Sequence, residues 1–108
     1  MNETDKKEIQ HIKKILLPVF KRNNARKAYL FGSIAKGTQT RRSDVDLMII
    51  TETDKRFFDR YGDFEEIQRI LADRSVDMLI YTSDELEKIS HRVFIKEIIE
   101  KGKVIYEC

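Results

Sequence analysis

Three aspartates stand where they could bind a metal ion. Asp44 and Asp46 lie two residues apart at the start of an apolar stretch, and Asp77 lies near the start of another. Side chains two apart in a strand face the same side, so the first two carboxylates should point together, with Cα atoms roughly 6 to 7 Å apart. Oxygen ligands at this spacing suit Mg²⁺ or Mn²⁺, which take their remaining ligands from water and substrate phosphates. If the two strands are neighbours, the sequence predicts that all three aspartates converge.

A glycine and a serine precede this cluster, separated from it by a polar loop. Gly32 after an apolar stretch allows a tight turn, and the residues from Ser33 to Lys36 can begin a helical turn whose free N–H groups face an anion. Phosphate is the natural ligand of such a turn. Metal ions between the carboxylates and a nucleoside triphosphate would activate an incoming hydroxyl and neutralise the leaving pyrophosphate. The predicted chemistry is therefore nucleotidyl transfer.

Alternating helical and extended patterns must position these residues. Apolar side chains recur at helical spacing over 5–20 and again over 54–72. Thr82 and Glu85 have the spacing of a capping box that opens a short helix, and Ser90 is expected to cap another helix that ends at Lys101. Strands are predicted at 28–31, 45–51, 76–81 and 103–106. The sum is an α/β (α+β) fold, a small mixed sheet with helices packed against it.

Four aromatic residues mark the second helical pattern. They are Phe57, Phe58, Tyr61 and Phe64. Most should belong to the core, but the adjacent Phe57 and Phe58 cannot face one core equally well. One of the two is expected at the surface, where it could mark a docking patch.

Composition narrows the class of protein. The chain has 108 residues, of which 41% are hydrophobic and 37% charged, and its net charge is +2. This length suits one domain spanning 1–108, and the near-balanced charge argues against broad nonspecific nucleic-acid binding. Arg41 and Arg42 could contact phosphates or an RNA-like acceptor, or simply keep the loop soluble. A single cysteine, Cys108, and the lack of an apolar leader or a run of roughly 20 apolar residues predict an unanchored cytoplasmic protein.

The site residues also carry a family resemblance. Gly32-Ser33, ten residues, and then Asp44-Val45-Asp46 resemble the GS-x10-D-x-D signature of the DNA polymerase β-like nucleotidyltransferase superfamily. The chain is most similar to the minimal nucleotidyltransferases of that superfamily. The segments YLFGS, SDVDLMI, VDMLIY and GKVIYE follow the family order. The resemblance thus covers essentially the whole chain and implies the nucleotidyltransferase (polymerase β-like) fold.

This resemblance implies a role for each candidate residue. Asp44 and Asp46 would bind the catalytic metals, and Asp77 would assist a metal or accept the proton of the acceptor. The phosphates of the nucleotide would be held by Gly32, Ser33 and Lys36. Lys36 stands where many members have arginine. Lysine preserves the positive charge but not the bidentate geometry.

The resemblance also implies a partner. Many minimal nucleotidyltransferases are antitoxins paired with a HEPN-domain ribonuclease, and some silence it by transferring AMP from ATP to a tyrosine of the toxin. A single small domain leaves no room for acceptor recognition, which agrees with a partner in trans. We therefore expect an ATP- and magnesium-dependent adenylyltransferase that acts as an antitoxin. Two alternatives stay open: a non-catalytic module that binds nucleotide or toxin, and a transferase that acts on RNA or a small molecule.

Overall fold

A four-stranded mixed sheet with helices on both faces forms the fold. The computed structural model describes residues 3–32 and 44–108. The strands run in the order β3-β2-β1-β4, with β1 antiparallel to β2 and β4, and β2 parallel to β3. They span β1 (Ala25–Phe31), β2 (Val45–Thr51), β3 (Val76–Tyr81) and β4 (Lys103–Glu107). The helices are α1 (Glu3–Arg22), a 3₁₀ helix (Phe57–Phe64), α2 (Glu66–Ile70), α3 (Ser83–Ile89) and α4 (Val93–Lys101). The predicted fold class is confirmed.

The larger core lies between one face of the sheet and helices α1 and α2. Val45, Leu47 and Ile49 of β2 are completely buried there, as their alternation along the strand predicts. The apolar stripe of α1, including Leu16 and Phe20, packs over them. This packing fixes β2 and, with it, the direction of the side chains on its opposite face.

A smaller core covers part of the second face of the sheet. Tyr29, Met48 and Ile50 are buried there against Ile95 and Ile98 of α4. Because both faces of β2 are covered, the strand is apolar along nearly its whole length, as is usual for a buried strand. Asp46, which shares the face of Met48, is the exception to this pattern.

The predicted helix over 54–72 is wrong. The chain forms the 3₁₀ helix and then the short α2, with i to i−3 bonds such as the one from the N–H of Gln68 to the carbonyl of Glu65. Arg60 has to turn inward in this segment and is only 4% exposed. It donates to the nearby carbonyl of Lys55 and to the distant carbonyl of Ile80 in β3, contacts that the apolar spacing of the segment does not predict.

Several smaller expectations have clear outcomes. The capping box of α3 is confirmed: Glu85 N–H donates to the Thr82 hydroxyl, and Thr82 N–H donates to the Glu85 carboxylate. Ser90 does not cap α4. It ends α3 and donates its hydroxyl to the carbonyl of Glu87, while α4 begins after Arg92. Phe58 is 82% exposed, as expected for one of the paired phenylalanines. Among the described residues, none of the helices has the length and apolar character to cross a membrane.

Candidate active site

Asp46 and Asp77 lie side by side on adjacent parallel strands. The register of β2 and β3 pairs Asp46 with Asp77 directly, followed by Met48 with Leu79 on the same face. Asp46 is half-buried and Asp77 is exposed. The two carboxyl groups are within hydrogen-bonding reach of each other. The sheet thus brings together two of the three predicted acidic residues through register alone.

The environment of Asp46 disfavours its charge. Burial raises the pKa of the Asp46 carboxyl, and repulsion from Asp77 and Asp44 raises this pKa further. A hydrogen bond to Asp77 also favours the protonated form. A cation placed between the carboxylates would remove the repulsion that raises this pKa.

Asp44 lies just before β2 and is exposed. It is close enough to Asp46 to act on it electrostatically. Within residues 3–32 and 44–108, however, no group of three acidic, imidazole or thiol side chains is arranged to enclose a metal ion. The acidic pair with Asp44 beside it still offers the oxygen donors that Mg²⁺ prefers and leaves room for phosphate oxygens as further ligands. The donor set therefore fits a magnesium ion shared with a substrate.

Gly32 lies in close contact with the Asp46 carboxylate. Phe31 pairs with Asp46 across β1 and β2, and Gly32 follows in a left-handed conformation with φ of +78°. A Cβ atom built on Gly32 would lie 2.2 Å from Oδ2 of Asp46. Glycine is the residue that suits this position, because other residues disfavour the left-handed φ and their Cβ atom would overlap the carboxylate. The other residues of the predicted phosphate turn, Ser33 and Lys36, lie outside the described residues, as do Arg41 and Arg42.

A cavity of about 330 Å³ opens beside Gly32 and Asp46, between the end of β1 and α4. The side chains around it come mainly from one face of α4. It is lined by Phe31, Gly32, Asp46, Phe94, Glu97, Ile98, Lys101 and Gly102. Gly102 allows α4 to end close to the sheet, because a Cβ atom there would lie 2.5 Å from the Ile98 carbonyl oxygen of α4 and 3.3 Å from the Leu30 carbonyl oxygen of β1.

The sequence reasoning did not identify the α4 side of this cavity. The available signal was the spacing of Phe94, Glu97, Ile98 and Lys101, which places all four on one helical face just before a glycine. That face mixes aromatic, apolar and charged side chains. A purely apolar stripe would indicate a helix face that only packs against the core. The mixture of apolar and charged side chains is instead typical of a face that contacts a ligand.

Comparisons with known proteins show which sequences and folds this chain resembles. A protein of Methanocaldococcus jannaschii named "Putative protein adenylyltransferase MJ0435" is 29% identical over 75 residues, which are 69% of this chain and 80% of that protein. A crystallised toxin–antitoxin with AMP-PNP has a chain that superposes with a TM-score of 0.67 at 21% identity, over 89% of this chain and 73% of the other.

A second similar structure contains a tri-AMPylated HEPN toxin of Shewanella oneidensis in complex with an MNT antitoxin. It matches with a TM-score of 0.62 at 17% identity, over 93% of this chain and 73% of the other. These two structural matches show a shared fold. The family model described as "Polymerase beta, Nucleotidyltransferase" matches residues 10–108. The chain therefore belongs to the polymerase beta nucleotidyltransferase family.

Proposed function

We propose that this protein transfers AMP from ATP, with the help of Mg²⁺, to a tyrosine hydroxyl of a HEPN-type partner and thereby acts as an antitoxin. The observation that carries the proposal is the pairing of Asp46 with Asp77 next to Gly32 and an open cavity. This arrangement supports the proposal because a triphosphate that approached the backbone at Gly32 would lie beside the carboxylates. The names of the similar proteins, an adenylyltransferase and MNT antitoxins, support the same activity.

Each residue has a distinct part in the proposed reaction. Asp44 and Asp46 would hold Mg²⁺, and Gly32, Ser33 and Lys36 would bind the phosphates. The bound ion would supply positive charge to the α-phosphate and the leaving group. Asp77 would accept the tyrosine proton as the phenol oxygen forms a bond to the α-phosphorus. The bond from that phosphorus to the bridging oxygen breaks, and pyrophosphate leaves.

The test uses the purified chain, the protein encoded by the neighbouring gene as the candidate partner, Mg²⁺ or Mn²⁺, and ATP labelled at the α-phosphate. We expect label on the partner, and none when Asp44 and Asp46 are both changed to asparagine. A matched control changes two exposed acids, Asp73 and Asp84, to asparagine and should keep full transfer. Both double variants remove two negative charges. A difference in AMP transfer between them therefore reports the loss of the candidate site and not the change in net charge.

The alternatives predict other outcomes of this experiment. If the variant with Asp44 and Asp46 changed to alanine neutralises the toxin as well as the parent does, the protein acts by binding and the enzymatic proposal fails. If label appears on added RNA or on a small hydroxyl compound but not on the partner, the chemistry holds and the proposed acceptor is wrong.

A further inference from the structure

The cavity beside Asp46 lies on one particular side of the acidic pair. It is bounded by Gly32, which directly follows β1, and by α4, and Asp77 is not among its lining residues. In the sheet order β3-β2-β1-β4, the cavity is on the β1 side of Asp46, whereas Asp77 is on the β3 side. An acceptor hydroxyl that gives its proton to Asp77 would thus approach from the side away from the cavity. The cavity is therefore available to bind a different part of the substrates.

Two aromatic rings form a corner of the cavity. The rings of Phe31 and Phe94 have centroids 5.8 Å apart and an interplanar angle of 84°. Phe94 is 57% exposed, so a large part of its ring surface is available to a ligand. Flat aromatic groups stack favourably on such a ring, and nucleobases do so with little dependence on their identity.

The rest of the lining suits an amphipathic ligand. Ile98 is buried beneath the cavity, while Glu97 and Lys101 bring a carboxylate and an ammonium group to it. A volume of about 330 Å³ is within the range of small-molecule sites, which combine apolar walls with a few polar groups. A base with its ribose has this mixture of a flat apolar ring and hydrogen-bonding edges.

We propose that this cavity binds the nucleoside of the triphosphate, with Phe94 stacking on the base. The inference rests on the proposed function, because a triphosphate held at Gly32 and Asp46 would have its nucleoside within reach of the cavity. Phe94 is then a specificity-determining residue that distinguishes a nucleotide from a bare polyphosphate. Glu97 and Lys101 contact the polar edges of the base or ribose.

The experiment compares two probes, ATP and inorganic tripolyphosphate, each with Mg²⁺, on the full chain. We expect Phe94→Ala to weaken ATP binding about tenfold or more, as loss of one base–aromatic stack does elsewhere, and to leave tripolyphosphate binding unchanged. Phe94→Trp should keep the ATP affinity. Val93→Ala is the control: Val93 is the 82% exposed neighbour of Phe94, is not among the residues that line the cavity, and its change should affect neither probe.

The possible outcomes separate this inference from the proposed function. ATP affinity that is unchanged in Phe94→Ala, or lost equally for both probes, would overturn the nucleoside site even if AMP transfer proceeds. An unchanged ATP affinity with a raised KM for the acceptor protein would assign the cavity to the acceptor and also overturn it. Conversely, ATP binding that depends on Phe94 without any transfer would support the nucleoside site and contradict the transferase.

Discussion

Asp46 is placed by packing in a position that its own charge disfavours. The apolar residues of β2 hold the strand between two layers of helices, and this fixes Asp46 close to Asp77. Burial and the neighbouring carboxylates both raise the Asp46 pKa. Perturbed pKa values of this kind cluster at the functional sites of proteins. A cation bound between the carboxylates would convert their repulsion into coordination.

Gly32→Ala tests how tightly the Asp46 carboxylate is held. The added methyl group would occupy the space of Oδ2 of Asp46, and alanine at φ of +78° costs roughly 1–2 kcal/mol. We expect the variant to unfold at lower urea concentration and to lose at least tenfold in transferase activity, because the carboxylate must move. The free energy of unfolding and the rate of AMP transfer measure the two effects.

Gly62→Ala provides the matched control for this substitution. A Cβ atom on Gly62 has open space within 4 Å, and its φ is outside the left-handed region. The control should be neutral or stabilise the protein by up to about 1 kcal/mol. Full activity in Gly32→Ala would show that Asp46 does not depend on the close approach of the turn.

The 3₁₀ helix and α2 protect the free edge of the sheet. Strand β3 is an edge strand, and its carbonyls at Val76, Met78 and Ile80 accept hydrogen bonds from side chains instead of a further strand. The donors are Gln68, Tyr61 and Arg60, at 2.8, 2.5 and 3.1 Å. Unpaired edges attract other chains, so these contacts stabilise the fold and also cover the strand that carries Asp77.

Tyr61→Phe removes one of these edge contacts and little else. The Met78 carbonyl would lose its side-chain donor, which we expect to lower the free energy of unfolding by about 1–2 kcal/mol. Tyr106→Phe, in another half-buried tyrosine whose ring packs on Phe20, should change the stability much less. Urea unfolding of both variants provides the comparison. Equal effects would mean that the edge contact adds nothing specific.

The sequence predicted the elements whose residues alternate or recur regularly, and missed those set by tertiary contacts. Strands β2 and β3 are mostly apolar, and their predicted bounds are the observed ones. Predicting the pairing of Asp46 with Asp77 therefore required only the assumption that the two strands are neighbours. Strand β1 begins three residues earlier than expected, at Ala25, because Ala25 and Lys27 pair with Thr51 and Ile50 of β2. Apolar spacing over 54–72 could not reveal a 3₁₀ helix.

Arg60 connects parts of the molecule that are distant in sequence. Its guanidinium donates to both carboxylate oxygens of Glu85, at 2.6 and 2.9 Å, and to the carbonyls of Lys55 and Ile80. Glu85 belongs at the same time to the capping box of α3. One buried cation thus joins the 3₁₀ helix, the edge strand and the first turn of α3. Charged residues are seldom buried, which is why the sequence did not single out Arg60.

This junction should govern part of the response of the whole molecule to acid. The bonds from Arg60, and then the backbone bond from Thr82, lower the pKa of Glu85 from its ordinary value of 4.5 to about 2. The unfolded chain therefore takes up a proton on Glu85 at a higher pH than the folded protein does. The stabilisation is complete well above pH 4.5 and is lost as the pH falls from 4.5 towards 2.

Glu85→Gln removes this charge, and Glu87→Gln removes one from an exposed position of the same helix. Because the Glu85 side chain is 42% exposed, solvent screening limits the expected loss at pH 7 to about 1–2 kcal/mol. The difference in unfolding free energy between parent and Glu85→Gln should shrink below pH 4.5, whereas Glu87→Gln should follow the parent throughout. Urea unfolding from pH 7 to pH 3 measures both. A difference that stays constant over this range would show that the ion pair does not set the acid response, since only the charge of Glu85 titrates in it.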